Sequence, residues 1–388
     1  MYLVCLAVCQ LTGCGGCKRP KPDVTTRGAT IPTPQARAAY VTNNGSDTIS
    51  VIDRDGTDVT SVPIDIDPLS HEAPHHLAID PVAGFLFVAL AFPAPPGATK
   101  DPHKAHGNAE DKGKLARLDL LSLAVKDTRD VDENPGDVVL THDRKKVLVT
   151  HYDMKRAMNV AAAGGAAGAM FATLQVWDAK EMRKISERAL CVAPHGIVTT
   201  PDDSQAIVAC YGSDELAVVD LTSPTLASAR YPLGATPGVA GAPRYGPYSA
   251  VLTPDSTRVV VADLEGADVR VFDLKSKRFL AERTISMRER VFMPEFLDAH
   301  SFLAPLQGPD GAARIDVDTG TIERRVSFSA AECQNPHAAR VSKDGRAYLV
   351  CEGDHVGPGK IVEIDPATLA IKKSWIVGVY PDGIMLGE

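Results

Sequence analysis

Three histidines in this sequence directly follow a proline that belongs to a repeated segment, and imidazole is the side chain that most often binds a transition metal at neutral pH. They are His75, His195 and His337, out of eleven histidines in the chain. Three imidazoles that converge from separate segments would form a metal site with an open side, suited to copper, iron or zinc. Such a site needs a fold that brings together segments more than 100 residues apart.

The prolines belong to a repeat that occurs seven times. Each copy contains a proline, an apolar strand, a turn, a second apolar strand and a strand that ends in aspartate. The prolines are Pro74, Pro135, Pro194, Pro247, Pro294, Pro336 and Pro381, and the aspartates are Asp53, Asp119, Asp178, Asp220, Asp273, Asp316 and Asp365. The copies alternate apolar and polar residues, as half-buried antiparallel strands do. A repeat of about 40–50 residues is typical of a four-stranded blade, so the sequence predicts an all-β fold, a seven-bladed β-propeller of four-stranded antiparallel blades.

The first and last segments of the chain complement each other. The copy that starts at Pro381 has no second strand after it, whereas residues 39–53 read as the remainder of a copy without a first strand. We therefore expect the N-terminal and C-terminal strands to share one blade. This pairing would close the ring and remove the exposed sheet edges.

The residue after each blade proline should form a ring around the central tunnel. In blade order this ring reads His75, Gly136, His195, Tyr248, Glu295, His337 and Asp382. We predict that the three histidines converge at the tunnel mouth and bind a metal, with Glu295 as the carboxylate ligand. Only neutral imidazole binds metal, so affinity should fall as the pH drops through about 6.5. The alternative is a structural role, with each imidazole bonded to a neighbouring backbone carbonyl.

Four cysteines occupy matched places in two blades. Cys191 and Cys333 each stand three residues before a blade proline, and Cys210 and Cys351 follow that proline by sixteen and fifteen residues. We predict disulfides Cys191–Cys210 and Cys333–Cys351, between neighbouring ends of a hairpin. Disulfides would indicate an oxidising compartment. Buried free thiols are the alternative.

The run Tyr40-Val41-Thr42-Asn43, followed by residues 44–53, resembles the signature of YVTN-family propellers. The resemblance covers about residues 38–388, and it implies a seven-bladed extracytoplasmic propeller related in shape to surface-layer repeats, haem-d nitrite-reductase propellers and lactonase-type propellers. The chain departs from the pattern at residues 296–302, which lack the usual Pro-Asp-Gly turn.

The N-terminal segment predicts where the protein is located in the cell. Residues 1–13 read as a signal peptide, because a short apolar stretch runs into Leu11-Thr12-Gly13-Cys14, which resembles the bacterial lipobox. Lipidation of Cys14, a flexible tether over residues 14–37 and a propeller over residues 38–388 would follow. The protein would then face the periplasm or the exterior, held to the membrane only by its lipid. A plain cleaved signal peptide is the alternative.

The composition and the absence of several sequence motifs argue against some classes of function. The net charge of −8 argues against a nucleic-acid partner, and the chain has no G-x-S-x-G elbow, P-loop or H-E-x-x-H motif. The leading interpretation is a monomeric binding or scaffold protein whose His-rich face takes a small molecule, a metal or a protein. A metal-dependent oxidoreductase or electron-transfer partner is the first alternative, and a lactonase-like hydrolase is the second.

Overall fold

The computed structural model describes residues 28–67, 69–92, 109 and 111–388, and within them thirty strands form seven antiparallel sheets. We number the sheets as blades from the one that begins at Pro74. Blade 1 contains β4 (Pro74–Asp80), β5 (Phe85–Leu90), β6 (Lys112–Asp119) and β7 (Val125–Glu133), and blade 2 contains β8 (Pro135–Leu140), β9 (Lys146–His151), β10 (Phe171–Asp178) and β11 (Lys184–Val192). Blade 3 contains β12 (Pro194–Thr199), β13 (Gln205–Cys210), β14 (Glu215–Asp220) and β15 (Ser228–Pro232). Blade 4 contains β16 (Pro247–Leu252), β17 (Arg258–Asp263), β18 (Asp268–Asp273) and an outer strand in two pieces, β19 (Arg278–Phe279) and β20 (Ile285–Ser286).

The other three blades complete the ring. Blade 5 has an inner strand in two pieces, β21 (Arg290–Val291) and β22 (Glu295–Phe296), followed by β23 (Ser301–Gln307), β24 (Gly311–Asp316) and β25 (Ile322–Ser327). Blade 6 contains β26 (Pro336–Val341), β27 (Ala347–Cys351), β28 (Pro358–Ile364) and β29 (Ile371–Val379). Blade 7 joins β30 (Pro381–Leu386) to β1 (Ala38–Asn43), β2 (Thr48–Asp53) and β3 (Val59–Pro63). The predicted seven-bladed fold is confirmed.

Ring closure follows the predicted pairing of the two ends. In blade 7, Val41 of β1 pairs with Ile384 of β30, and Tyr40 pairs with Met385. The inner strand of this blade therefore comes from the end of the chain, and its three outer strands come from the beginning. The apolar core lies between successive blades, for example where Tyr40 and Ile49 of blade 7 pack in one cluster with Leu77 and Leu86 of blade 1.

The aspartates of the repeat terminate the third strand of each blade. Asp220 Oδ1, for example, accepts the backbone N–H groups of Thr222 and Ser223 at 2.8 and 3.2 Å. Asp365 accepts those of Ala367 and Thr368 in the same way, at 3.0 and 2.9 Å. An aspartate that hydrogen-bonds the backbone two residues on favours a tight turn. The repeated aspartate is therefore a turn signal and belongs to the scaffold.

The prolines mark a left-handed turn at the start of six of the seven inner strands. The preceding residue has a φ between 47° and 61° in six blades, and these residues are Ala73, Asn134, Ala193, Gly246, Asn335 and Tyr380. Blade 5 lacks this turn. There Met293, before Pro294, forms a parallel bridge with Ala338 of the next blade, and the inner strand is split. The irregularity expected near residues 296–302 thus begins a few residues earlier.

Helices are a minor component of the described chain. Two α-helices, α1 (Met154–Ala162) and α2 (Ala330–Cys333), connect strands at the rim. None of the described helices combines the length and the apolar character that a membrane span requires. The predicted signal peptide, Cys14 and most of the 14–37 segment lie outside the described residues.

Both predicted disulfides are present, and they join successive blades. Cys191 lies on β11, the outer strand of blade 2, and is bonded to Cys210 at the end of β13 in blade 3. Cys333 ends α2, which follows blade 5, and is bonded to Cys351 of β27 in blade 6. The offsets from the proline gave the correct pairs. The first pair links adjacent blades and the second links the helix after blade 5 to blade 6, so neither pair lies within one hairpin.

Replacing Cys191 and Cys210 together by Ala should lower the free energy of unfolding by about 2–5 kcal/mol, because the bridge restricts the unfolded chain. Urea unfolding of the oxidised protein measures the difference, and Cys17→Ala is the control. Peptide mapping without reduction should recover the 191–210 and 333–351 links. An unchanged urea midpoint, or alkylated thiols at these positions, would contradict the prediction.

Candidate metal centre

Six inner strands carry a bulge directly after the blade proline. In blade 1, Pro74 pairs with Leu90 and Leu77 pairs with Val88. An advance of three residues along β4 therefore lies opposite an advance of two along β5. The same shift follows the proline in β8, β12, β16, β26 and β30. A bulge places two residues opposite one and redirects their side chains. The first and the second residue after the proline therefore both reach the propeller axis.

Three imidazoles meet at the axis: those of His75 and His76 from β4 and of His195 from β12. One ring nitrogen from each lies within 4.8 Å of the other two. The His75 and His76 ring centroids are 4.1 Å apart, and the His76 and His195 centroids are 5.4 Å apart. All three side chains are buried, with at most 3% of their surface exposed. This spacing fits ligands of a single metal ion.

The Nδ1 atom of each imidazole is held by a hydrogen-bond acceptor. His75 Nδ1 binds Asp382 Oδ2, and His76 Nδ1 lies 3.0 Å from Asp137 Oδ1. His195 Nδ1 donates to the backbone carbonyl of Tyr248 at 3.0 Å. Histidines that ligate metals in proteins usually donate their other N–H in this way, which fixes the tautomer and the ring orientation. A metal ion bound by this group would be held by the Nε2 atoms.

The carboxylates of this arrangement are also fixed by their neighbours. Asp137 Oδ2 accepts the backbone N–H of Ile197 at 3.1 Å, and Oδ1 accepts that of Val138 at 2.8 Å. Asp382 lies between His75 and His337, whose Nδ1 is 2.9 Å from Asp382 Oδ1. Two blades thus supply the acceptors that orient imidazoles from other blades.

Burial and these partners set the protonation of the group. Burial lowers the pKa of His75 to about 4, although Asp382 opposes the shift. Burial also acts to lower the pKa of His76, but the charges of Asp137 and Asp382 outweigh it and raise this pKa. Burial by itself would raise the pKa of Asp382, yet its two histidine neighbours hold it well below its usual range. Asp382 therefore stays ionised and His75 stays neutral, the form that binds metal.

Two threonines couple these strands to their neighbours. Thr150 Oγ1 accepts the N–H of Asp137 at 2.9 Å and donates to the carbonyl of His195 at 2.6 Å. Thr42 of the YVTN-like run makes the same two bonds between blades 7 and 1. It accepts the N–H of Gly383 at 2.9 Å and donates to the carbonyl of His75. Each hydroxyl bridges the bulge of one blade to the first axial residue of the next. These buried bonds fix the height of His75 and His195 on the axis.

The structure brings His75 and His195 together but places the other two predicted ligands differently. His337 is fully buried beside the group, with its Nε2 3.2 Å from Tyr248 Oη and its Nδ1 facing Asp382 and Glu352. Glu295 lies on the tunnel wall, where its Oε2 accepts from Arg340 Nη1 at 2.8 Å. Neither belongs to the close group of three imidazoles. The irregular inner strand of blade 5 explains the different position of Glu295.

Sequence reasoning missed His76, which stands second after the proline. In an uninterrupted strand the second residue would point away from the axis, since side chains alternate. The bulge removes that alternation. Glycine stands at this position in blade 3, where a Cβ on Gly196 would come within 2.6 Å of Ser249 Cα. The consecutive pair His75-His76, where other copies have His-Gly or His-Ala, was the available signal.

The axial group lies at the closed end of a tunnel. The blade proline and the two residues after it are buried in all six bulged inner strands, whereas later residues such as Val139, Val198, Val251 and Met385 are half-buried. A cavity of about 340 Å³ extends along these strands, with His76 at one end and His142 at the other. Tyr152 and Tyr248 pack around His195, at ring-centroid distances of 5.2 and 3.9 Å. The described tunnel is therefore open on the face that carries the turns between the first and second strands of the blades. The predicted mouth was on the opposite face, at the residues that directly follow the blade prolines.

Comparisons with known proteins support the fold. No protein-family model matches the chain, and no curated protein matches it. Among solved structures, the Pseudomonas aeruginosa periplasmic gluconolactonase PpgL is similar, with a TM-score of 0.64 and 16% identity over 90% of this chain and 98% of that one. Kuenenia stuttgartiensis hydrazine synthase gives a TM-score of 0.61 and 15% identity over 83% of this chain and 92% of that one. The dihydro-heme d1 dehydrogenase NirN gives 0.54 and 15% over 95% and 79%. At these identities the likeness establishes a shared β-propeller fold.

Proposed function

We propose that this protein is a metal-binding β-propeller of the bacterial cell envelope, in which His75, His76 and His195 hold one transition-metal ion. The observation that carries the proposal is the group of three buried imidazoles with ligand nitrogens within 4.8 Å of one another. Three imidazoles with an open fourth position form the donor set of metal sites that act on a ligand. Imidazole nitrogen suits zinc, copper and iron.

A purely structural role explains the site less well. Structural histidines bonded to backbone carbonyls would not need to cluster, yet here three buried rings lie together. Packing them this closely carries a desolvation cost. A metal ion would offset that cost through three coordinate bonds. The carboxylates of Asp137 and Asp382 would balance the charge of a divalent ion.

The test is metal retention by the wild-type protein. Protein stripped with chelator, loaded separately with copper, zinc or ferrous iron and then desalted should retain about one equivalent of at least one metal, as a three-histidine site requires. Elemental analysis measures the content. Retention of less than about a tenth of an equivalent of every metal would overturn the proposal.

Electron transfer is the second candidate, favoured by an aromatic chain beside the group. Tyr152 lies edge-on to His195, with ring centroids 5.2 Å apart, and 5.2 Å from Tyr211. Tyr211 Oη donates to Glu265 Oε1 at 3.0 Å, nearer the surface. Such a chain could connect a redox-active metal to a partner. A lactonase-like activity stays a prediction that turnover of lactone substrates would test.

The envelope location rests on the lipobox-like run and on the two disulfides, which favour an oxidising compartment. Cys14→Ser should move the protein from the membrane fraction to the soluble fraction, because one residue would carry the lipid. Metal retention and the urea midpoint should not change. Cys17→Ser is the matched control and should stay with the membrane. A Cys14→Ser protein that remains in the membrane fraction would contradict the lipoprotein assignment.

A further inference from the structure

We infer that the tunnel, opened on the face of the strand turns, admits a small uncharged molecule with one metal-binding heteroatom to the open position of the proposed metal site. This inference rests on the proposed function. It adds the route and the chemical class of the ligand.

The route follows from burial along the inner strands. At the closed end the three imidazoles are at most 3% exposed. The cavity reaches His76 from the opposite side, past Ile197, Ala250 and Leu252. Among the imidazoles of the group, His76 alone lines this cavity. A ligand in the tunnel would therefore approach the proposed site past His76 and Asp137, which both line the cavity.

The polarity of the ligand follows from the walls. The lining residues include Leu77, Val138, Ile197 and Ile384, but these side chains pack into the cores between blades, so the wall is of mixed polarity. The charged groups on the wall already have partners. Arg340 donates from Nη1 to Glu295 at 2.8 Å and from Nε to the Ile384 carbonyl at 3.2 Å. A charged ligand would lose its hydration without gaining an unengaged counter-ion, which is costly.

Charge balance at the metal points to the same class. Three neutral imidazoles contribute no charge, whereas Asp137 and Asp382 lie directly behind His76 and His75. A divalent ion with these two carboxylates has a net charge of zero, and the buried Glu352, which faces His337 at 3.2 Å, adds a further carboxylate nearby. An anionic ligand would add an unbalanced negative charge at a buried position, so a neutral donor is favoured. The cavity volume of about 340 Å³ lies at the lower end of ligand pockets.

The experiment uses cobalt-loaded full-length protein and two probes with the same donor nitrogen, pyridine and isonicotinate. Stopped-flow absorbance of the cobalt ion follows binding. We expect pyridine to bind, and isonicotinate to bind at least about tenfold more weakly, because its carboxylate must be desolvated. Equal or tighter binding of isonicotinate would overturn the inference of an uncharged ligand.

The route is tested by filling the tunnel. Ala250→Trp should slow pyridine association at least about tenfold at unchanged cobalt content, since the indole would occupy the path. Ala281→Trp, at an exposed position of the same blade, is the matched control. Leu252→Trp, at the half-buried outer end, repeats the test should Ala250→Trp not fold. Unchanged association rates in a folded tunnel variant would overturn the route.

The two proposals fail differently. A protein that retains cobalt but binds pyridine equally fast in tunnel and control variants keeps the metal site and loses the tunnel route. A protein that retains no cobalt loses the proposed function, and the inference about the ligand falls with it.

Discussion

Replacing His76 by Gln should abolish metal retention while the propeller stays folded. Gln keeps the approximate size and polarity of the side chain but removes the imidazole nitrogen that faces His75 and His195. Loss of a group that merely orients a ligand already lowers metal affinity 10–100-fold. Loss of the ligand itself should therefore cost more than about 100-fold. The measurement is a competition titration against a coloured chelator.

The same substitution at other histidines separates ligands from neighbours. His75→Gln and His195→Gln should lose metal as His76→Gln does. His337→Gln should keep it to within about tenfold, because His337 contacts Asp382 and Tyr248 without joining the group of three. His151→Gln is the control for removing a fully buried imidazole, since its Nδ1 bonds the Thr173 carbonyl at 2.9 Å.

The outcome distinguishes two ligand sets. The sequence alone predicted His75, His195 and His337, whereas the structure groups His75, His76 and His195. Metal loss in His337→Gln together with full retention in His76→Gln would favour the set from the sequence. Equal, small effects at all five positions would indicate that the imidazoles are structural.

The fold could be predicted because it depends on features that repeat. A proline preceded by a left-handed residue and an aspartate that caps the third strand recur in the chain, so their spacing counts the blades. The match between the segment at Pro381 and that at Tyr40 likewise predicted ring closure. These are local signals, and each copy reinforces the others.

The site was less predictable because it depends on departures from the repeat. The bulge after the proline brings in His76 and Asp137, which a regular strand would direct away from the axis. Glu295 was grouped with the histidines because it directly follows Pro294. Blade 5, however, lacks the left-handed turn before the proline, so this position is not equivalent to the same position in the other blades. The open end of the tunnel depends on which inner-strand residues are covered, and no single copy of the repeat encodes that.

The closing strand of the propeller contributes to the site through Asp382, and Asp382→Asn should weaken metal binding about 10–100-fold. The ionised carboxylate accepts from His75 and faces His337 Nδ1 at 2.9 Å. An amide has one oxygen to accept with, and its NH₂ group would face a ring N–H. One imidazole would thus lose its orienting partner, and the positive charge of the ion would lose a nearby counter-charge.

Asp214→Asn is the matched control for this change. Asp214 is also fully buried, and it accepts the backbone N–H groups of Gly238, Arg244, Tyr245 and Gly246 at 2.6–2.9 Å. Both variants should lose about 1–3 kcal/mol of stability, the cost of leaving a buried polar group without its partner. Only Asp382→Asn should lower metal affinity. Equal metal affinities in the two variants, with both destabilised, would show that Asp382 supports ring closure alone and has no part in positioning His75.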